Sequence, residues 1–239
     1  MLENKKTHSS HQHLPNPFSR SDIHEGQIKK HLDRIDHEFH EGFEFIKKYP
    51  KSVTIFGSSM LPSDSKPCQQ ARELGERIVH DLDYAVVTGG GPGIMEAANS
   101  GAFKAGGKSV GLNISLPHEH GANGFTNDHM KFAYFFSRKT MMVFAAEAYV
   151  FFPGGFGTFD ELFGILTLIQ TGKIPHVPIV LFGSDFWNPV LKALNEVMLK
   201  KFKTVDDHDF GLVEVTDSVE EAMQVIAKAP ISEWWRNIS

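Results

Sequence analysis

The chain has 239 residues, of which 41% are apolar and 22% charged, with a formal net charge of −5 and one cysteine. This suits one large α/β unit with a sizeable core and excludes a basic nucleic-acid coat or membrane-surface binder. Cys68 has no internal disulfide partner, no apolar run approaches bilayer length, and "MLENKKTHSSHQH" has no secretory core, so a reducing cytoplasmic setting is expected.

Residues 1–20 are polar, contain Pro15 and Pro17, and read as a flexible arm. Over 21–50 a narrow stripe of Ile28, Leu32, Ile35, Phe39 and Ile46, with Gly42 filling one step, predicts a helix ended by Pro50. It is expected to dock onto the main body or a partner subunit. Its His31, His37 and His40, together with His24, read as solvated. "HEFHE" at 37–41 is not a zinc-protease motif, because Glu41 stands where the second histidine belongs. His8, His11 and His13 have no fixed geometry on the arm, so no metal site is expected.

From 51 to 239 the pattern is that of a single nucleotide-binding unit. Strands are expected at "SVTIFG", "YAVVTGGG", "KSVGLNI", "AYVFF", "VPIVLFG" and "LVEV". Helices are expected near 68–80, 93–105, 138–147, 157–170, 186–201 and 218–228. The loop between "KSVGLNI" and Arg138 suits a lid, a base-stacking wall or a core-filling excursion. Trp234 and Trp235 suit packing or an interface. This alternation implies a doubly wound, Rossmann-like parallel sheet of about seven strands with helices on both faces.

Ligands in such sheets sit at the carboxyl ends of the strands. Three of those ends carry unusual residues: Gly57-Ser58-Ser59, Gly89-Gly90-Gly91-Pro92-Gly93, and Pro153 to Thr158. Helix N-termini offer unpaired N–H groups to anions, and glycines admit close approach. Gly154, Gly155, Gly157 and the Thr158 hydroxyl therefore read as a phosphate cradle, with Gly90, Gly91 and Ser58 nearby; the plainer alternative is a tight turn with Thr158 as helix cap. Neither glycine loop is a P-loop, since no Gly-Lys-Ser/Thr follows. The dinucleotide fingerprint fails because Ile94 replaces its third glycine and the next strand ends at Asn113, without an acid for a ribose.

The helix after Pro153 carries two acids. At 100° per residue Glu161 lines up with Gly157 and Thr158 behind it and with Ile165 and Leu168 ahead, which sets a carboxylate among apolar neighbours. Asp160 points elsewhere and reads as a partner of the helix dipole. Arg138 and Lys139 open the preceding helix against its dipole, so they suit an anion or Glu161 better than a structural role; Lys139 also reads as a solvated side chain. Glu96 is either a helix-start acid or a ligand for a sugar hydroxyl.

"PGGFGTFDE" resembles the PGGxGTxxE signature of the LONELY GUY phosphoribohydrolases, long labelled lysine decarboxylase-like. "GGGPGIM" resembles their second glycine loop, in the form of the longer bacterial branch, some of whose members look like AMP nucleosidases. Arg138 and Glu161 stand at the separation of that family's catalytic pair. The resemblance spans roughly 52–227 and implies hydrolysis of the N-glycosidic bond of a purine nucleoside 5′-monophosphate, with no metal or organic cofactor. It implies that Arg138 and Glu161 are catalytic and that the cradle anchors the 5′-phosphate; Lys139 and Glu96 stand beside these as further candidates for substrate binding. The base is adenine or an N6-prenylated adenine, and a homodimer or larger homo-oligomer is expected. A non-catalytic nucleotide sensor or carrier is the alternative. Pyridoxal-dependent decarboxylation is rejected, because no lysine has a pyridoxal-binding context.

Overall fold

The computed structural model describes residues 25–115 and 123–229. Its seven strands are β1 (Ser52–Phe56), β2 (Ala85–Thr88), β3 (Ser109–Ile114), β4 (Asp128–Phe132), β5 (Ala148–Phe151), β6 (Ile179–Phe182) and β7 (Glu214–Thr216). They lie in the order β4-β3-β2-β1-β5-β6-β7, and every neighbouring pair is parallel. The chain winds outward from β1 to β4, then crosses back to place β5 on the other side of β1. The crevice above β1 and β5 is therefore the switch point where ligands bind in such sheets.

The inner strands β1, β2, β3, β5 and β6 are buried at every residue, as continuous apolar runs in a covered parallel sheet require. Alternate side chains feed two cores. Val53, Ile55, Val86 and Val150 pack under α2 (Lys66–Leu82), α3 (Ile94–Lys104) and α8 (Val219–Ile226). Val87, Leu112, Tyr149 and Phe151 pack under α4 (Phe135–Phe144), α5 (Phe156–Gln170) and α6 (Ser184–Leu194). Helix α6 continues as a π-helical stretch, Asn195–Lys201, and a short α7 (Asp207–Phe210) precedes β7.

The N-terminal helix, α1 (Glu25–Ile46), docks on α4 by its C-terminal half. Phe45 and Ile46 are buried, Phe39 stacks on Phe136, and Phe43 meets Phe144 edge-on. Ile28 and Leu32, at the other end of its stripe, remain exposed.

Three expectations need correction. The stretch read as a loop holds β4, an edge strand with alternating burial. Helix α4 starts at Phe135, so Arg138 and Lys139 sit at the close of its first turn and the start of its second. His31 is half-buried and its Nδ1 lies 2.7 Å from the Tyr134 hydroxyl, whereas His37 and His40 are exposed as expected. The arm over 1–20, His24, residues 116–122 of the loop, Trp234 and Trp235 lie outside the described residues. No described helix is long and apolar enough to cross a membrane.

Candidate active site

The backbone ties the three predicted loops together. The Ser58 N–H donates to the Pro153 carbonyl at 3.0 Å, and the Ser58 carbonyl accepts the Ile94 N–H at 3.0 Å. One residue therefore staples the ends of β1 and β5 to the start of α3. Its hydroxyl oxygen accepts the Met60 N–H at 3.0 Å, so Ser58 shapes the crevice.

The first glycine loop ends in α5. Gly155 is the N-cap and Thr158 the third helical residue, so Thr158 is not the cap. The N–H groups of Phe156, Gly157 and Thr158 belong to the first turn, which has no intrahelical acceptors for them. Gly155 and Gly157 are exposed, and a Cβ on either would meet only open space. Gly154 is different. The buried Thr158 side chain folds back onto it, and a Cβ there would collide with Oγ1. The outcome is a hydroxyl held beside a positively polarised helix end.

The second loop is fixed by side chains that the sequence reading passed over. The Thr88 hydroxyl accepts the Gly90 N–H at 2.9 Å and donates to Asn99 Oδ1 at 2.5 Å. Asn123 binds the Gly90 carbonyl with its backbone N–H at 2.9 Å and the Gly91 carbonyl with Nδ2 at 3.1 Å. Asn113 Nδ2 reaches the Gly90 carbonyl at 3.3 Å, while its Oδ1 is buried with no hydrogen-bond partner among the described residues. The available signal was Asn99, an amide inside an otherwise small and apolar helix turn, "EAANSGA".

Arg138 reaches this loop from α4. Its Nε donates to the Leu112 carbonyl at 2.7 Å, and its Nη2 lies against Gly89, where a Cβ would displace it. Lys139 lies against Gly164 of α5 and is not freely solvated. Its ammonium binds Asp160 Oδ1 at 2.9 Å and the Asp160 carbonyl at 2.8 Å, and lies 4.0 Å from Glu161 Oε2. Asp160 is thus the close partner of Lys139, and Glu161 stays at the edge of its reach.

Glu161 is 9% exposed, and its Oε2 has no hydrogen-bond partner among the described residues. Ile165, one turn on, is fully buried, as the helical wheel predicts. Desolvation raises the carboxyl from its ordinary 4.5 to about 7; Lys139 and Arg138 oppose the rise, and Asp160 adds to it. Near neutral pH such a group takes or releases a proton readily, which is what general acid–base chemistry asks of a carboxylate.

Glu96 stands in the first turn of α3, directly after the second glycine loop, beside Pro92 and Gly93. It lines a cavity of roughly 550 Å³ between α2 and α3, with Ser59, Arg72, Ser100, Lys104 and Phe125. Neither Arg138 nor Glu161 is part of that wall. Its neighbour Met95 is the side chain that turns to Gly89 and Gly91.

The family model described as "Possible lysine decarboxylase" matches residues 95–226. A cytokinin riboside 5′-monophosphate phosphoribohydrolase of Rhodococcoides fascians is 28% identical over 65% of this chain and 79% of its own. One from Arabidopsis thaliana is 30% identical over 66% of this chain and 74% of its own. Among solved structures, the Moco carrier protein of Chlamydomonas reinhardtii shares the fold with a TM-score of 0.56 and 22% identity, over 75% of this chain and 96% of that one. The matched segment contains the Arg138-Lys139 pair, the cradle and Glu161, and on this evidence the chain belongs to the LONELY GUY family, the group whose model is described as possible lysine decarboxylases.

Proposed function

We propose that this protein hydrolyses the N-glycosidic bond of a purine ribonucleoside 5′-monophosphate, releasing ribose 5-phosphate and a free base, adenine or an N6-substituted adenine. The observation that carries this reading is Glu161: a buried carboxylate with one oxygen that has no hydrogen-bond partner among the described residues, one turn inside the helix whose N-terminus forms the cradle. The named activity of the relatives from Rhodococcoides fascians and Arabidopsis thaliana supports it.

In this reading the 5′-phosphate sits on Gly154, Gly155, Gly157 and Thr158, against the N–H groups of α5. That anchor positions the ribose, and its binding energy is used to orient C1′. As the bond from C1′ to the base nitrogen breaks, the base leaves with the electron pair and the sugar gains oxocarbenium character. The ionised Glu161 stabilises that charge and accepts a proton from the water whose oxygen bonds to C1′. The departing base takes up a proton in turn. Arg138, fixed by the Leu112 carbonyl, and Lys139 supply the positive charge that holds the anionic substrate near a carboxylate.

The alternative is a nucleotide carrier without catalysis. The Moco carrier protein has the same fold, so the fold alone does not separate the two readings. The buried acid favours catalysis, because carriage of an anion gains nothing from a desolvated carboxylate beside it. The test is incubation of the purified protein with AMP and with isopentenyl-AMP, followed by chromatography for free base. Release from at least one is expected, with near-complete loss in Glu161→Gln. If AMP binds but neither nucleotide is cleaved, the carrier reading stands instead.

A further inference from the structure

Helix α4 carries Arg138 and Lys139 but lacks a cap of its own. Its N-cap residue, Tyr134, makes no side-chain capping bond, and the N-cap N–H of a helix has no intrahelical acceptor. An acceptor for it, and for the N–H of the residue before it, comes from α1, which lies outside the matched segment 95–226. Glu38 Oε1 accepts the Ala133 N–H at 2.7 Å; its Oε2 accepts the Ser137 hydroxyl at 2.6 Å and the Tyr134 N–H at 3.4 Å. Glu38 is only 6% exposed, and Arg34, one turn back, lies 3.7 Å from Oε1. His31, a heptad before Glu38 on the same face of α1, meets the Tyr134 hydroxyl, and Arg34 lies over the Tyr134 ring.

We propose that Glu38 is a positioning residue for Arg138: its carboxylate, donated by α1, caps the N-terminus of α4 and fixes the turn from which Arg138 reaches Gly89 and the Leu112 carbonyl. A carboxylate suits that place twice over, as an acceptor for unpaired donors and as a negative charge at the positive end of a helix dipole. Ser137, bonded to Glu38, directly precedes Arg138, and the Arg138 N–H donates to the Tyr134 carbonyl at 3.3 Å, inside the capped turn. A loosened first turn displaces the guanidinium from its socket, and small misplacements of such a group are costly to rate. Residue 38 thus gives the N-terminal helix a role in the chemistry as well as in packing.

This inference rests on the phosphoribohydrolase reading, so its test has an arm that does not. Glu38→Gln keeps the shape and removes the charge; Ser137→Ala removes one of the three bonds and guards against a variant that fails to fold. Amide hydrogen exchange over residues 133–139 reads the cap directly, and steady-state kinetics on the nucleotide that the native chain cleaves reads its consequence. Glu38→Gln is expected to speed exchange there and to lower kcat/KM about tenfold with KM raised several-fold, the pattern of a weakened hold on the anionic substrate. Ser137→Ala is expected to do the same more weakly. Unchanged exchange would remove the cap, and faster exchange with native kcat/KM would remove the link to Arg138. If the native chain cleaves no nucleotide, the proposed function fails on its own. The link to Arg138 is then decided by calorimetric AMP affinity, which must weaken in Glu38→Gln for the proposal to survive.

Discussion

Glu161 is the residue on which chemistry and stability pull in opposite directions. In the unfolded chain its carboxyl ionises near 4.5; in the fold it ionises near 7, because burial strips its hydration faster than Lys139 and Arg138 restore charge balance. Between those values the unfolded state releases a proton that the folded state keeps. This carboxyl therefore makes the fold less stable as pH rises from about 4.5 to about 7, and the cost persists above that range. At about 1.4 kcal/mol per pKa unit, the penalty at pH 8 is on the order of 3–4 kcal/mol. Glu161→Gln removes it, so calorimetric melting should show the variant more stable than the native chain at pH 8, by several degrees, and nearly equal to it at pH 4.5. An equal difference at both pH values would mean that the carboxyl is not desolvated. The same titration predicts that turnover rises with pH through about 7, since only the ionised form serves as base.

At the scale of elements, α5 shows what the sequence made legible. Pro153, the glycines and the position of Glu161 over Ile165 were readable from spacing alone, because a helical period and a strand end are local properties. Residues whose role depends on distant pairing were not. Strand β4 exposes His129 and Lys131 along the sheet edge, so its apolar content is too low to read as a strand, and its parallel pairing with β3 is a long-range event. Glu38 sits inside "HEFHE", where its neighbours suggest a metal motif; nothing within α1 announces that its acceptors serve a helix nearly a hundred residues on. The α5 N-terminus carries its own prediction. Thr158 holds its hydroxyl on the rim of the cradle, against Gly154, while Glu161 lies one turn further in. Thr158→Ala should therefore raise KM for the nucleotide several-fold and leave kcat near native, as loss of uniform binding requires. A fall confined to kcat would contradict its place as an anchor.

For the molecule as a whole, the alternation of strands and helices was enough to foresee a doubly wound sheet, and the two observed cores follow from strands that are apolar on both faces. What the chain alone does not cover is equally informative. The apolar stripe of α1 continues outward as Ile28 and Leu32, and Phe39 stacks on Phe136, itself 44% exposed beside Phe135 at 59%. On α5, Phe156 is 96% exposed and Phe163 is 37% exposed. Helix α5 thus keeps aromatic rings on its outer face, as expected for a helix apolar nearly all round that has been given neighbours on only one side. Single exposed apolar residues are ordinary, but exposed apolar side chains recurring on α1, α4 and α5 suit coverage by another chain. We propose that a second copy of this chain covers them, in a homodimer or larger closed assembly, since such a surface serves two identical partners equally. Light scattering after size exclusion should then give at least twice the 26.7 kDa of one chain. Phe135→Ser with Phe163→Glu should shift the population toward the single chain without unfolding it, because both side chains are already solvent-exposed. A native protein that runs at the mass of one chain at every concentration would leave these aromatic faces to solvent and end the proposal.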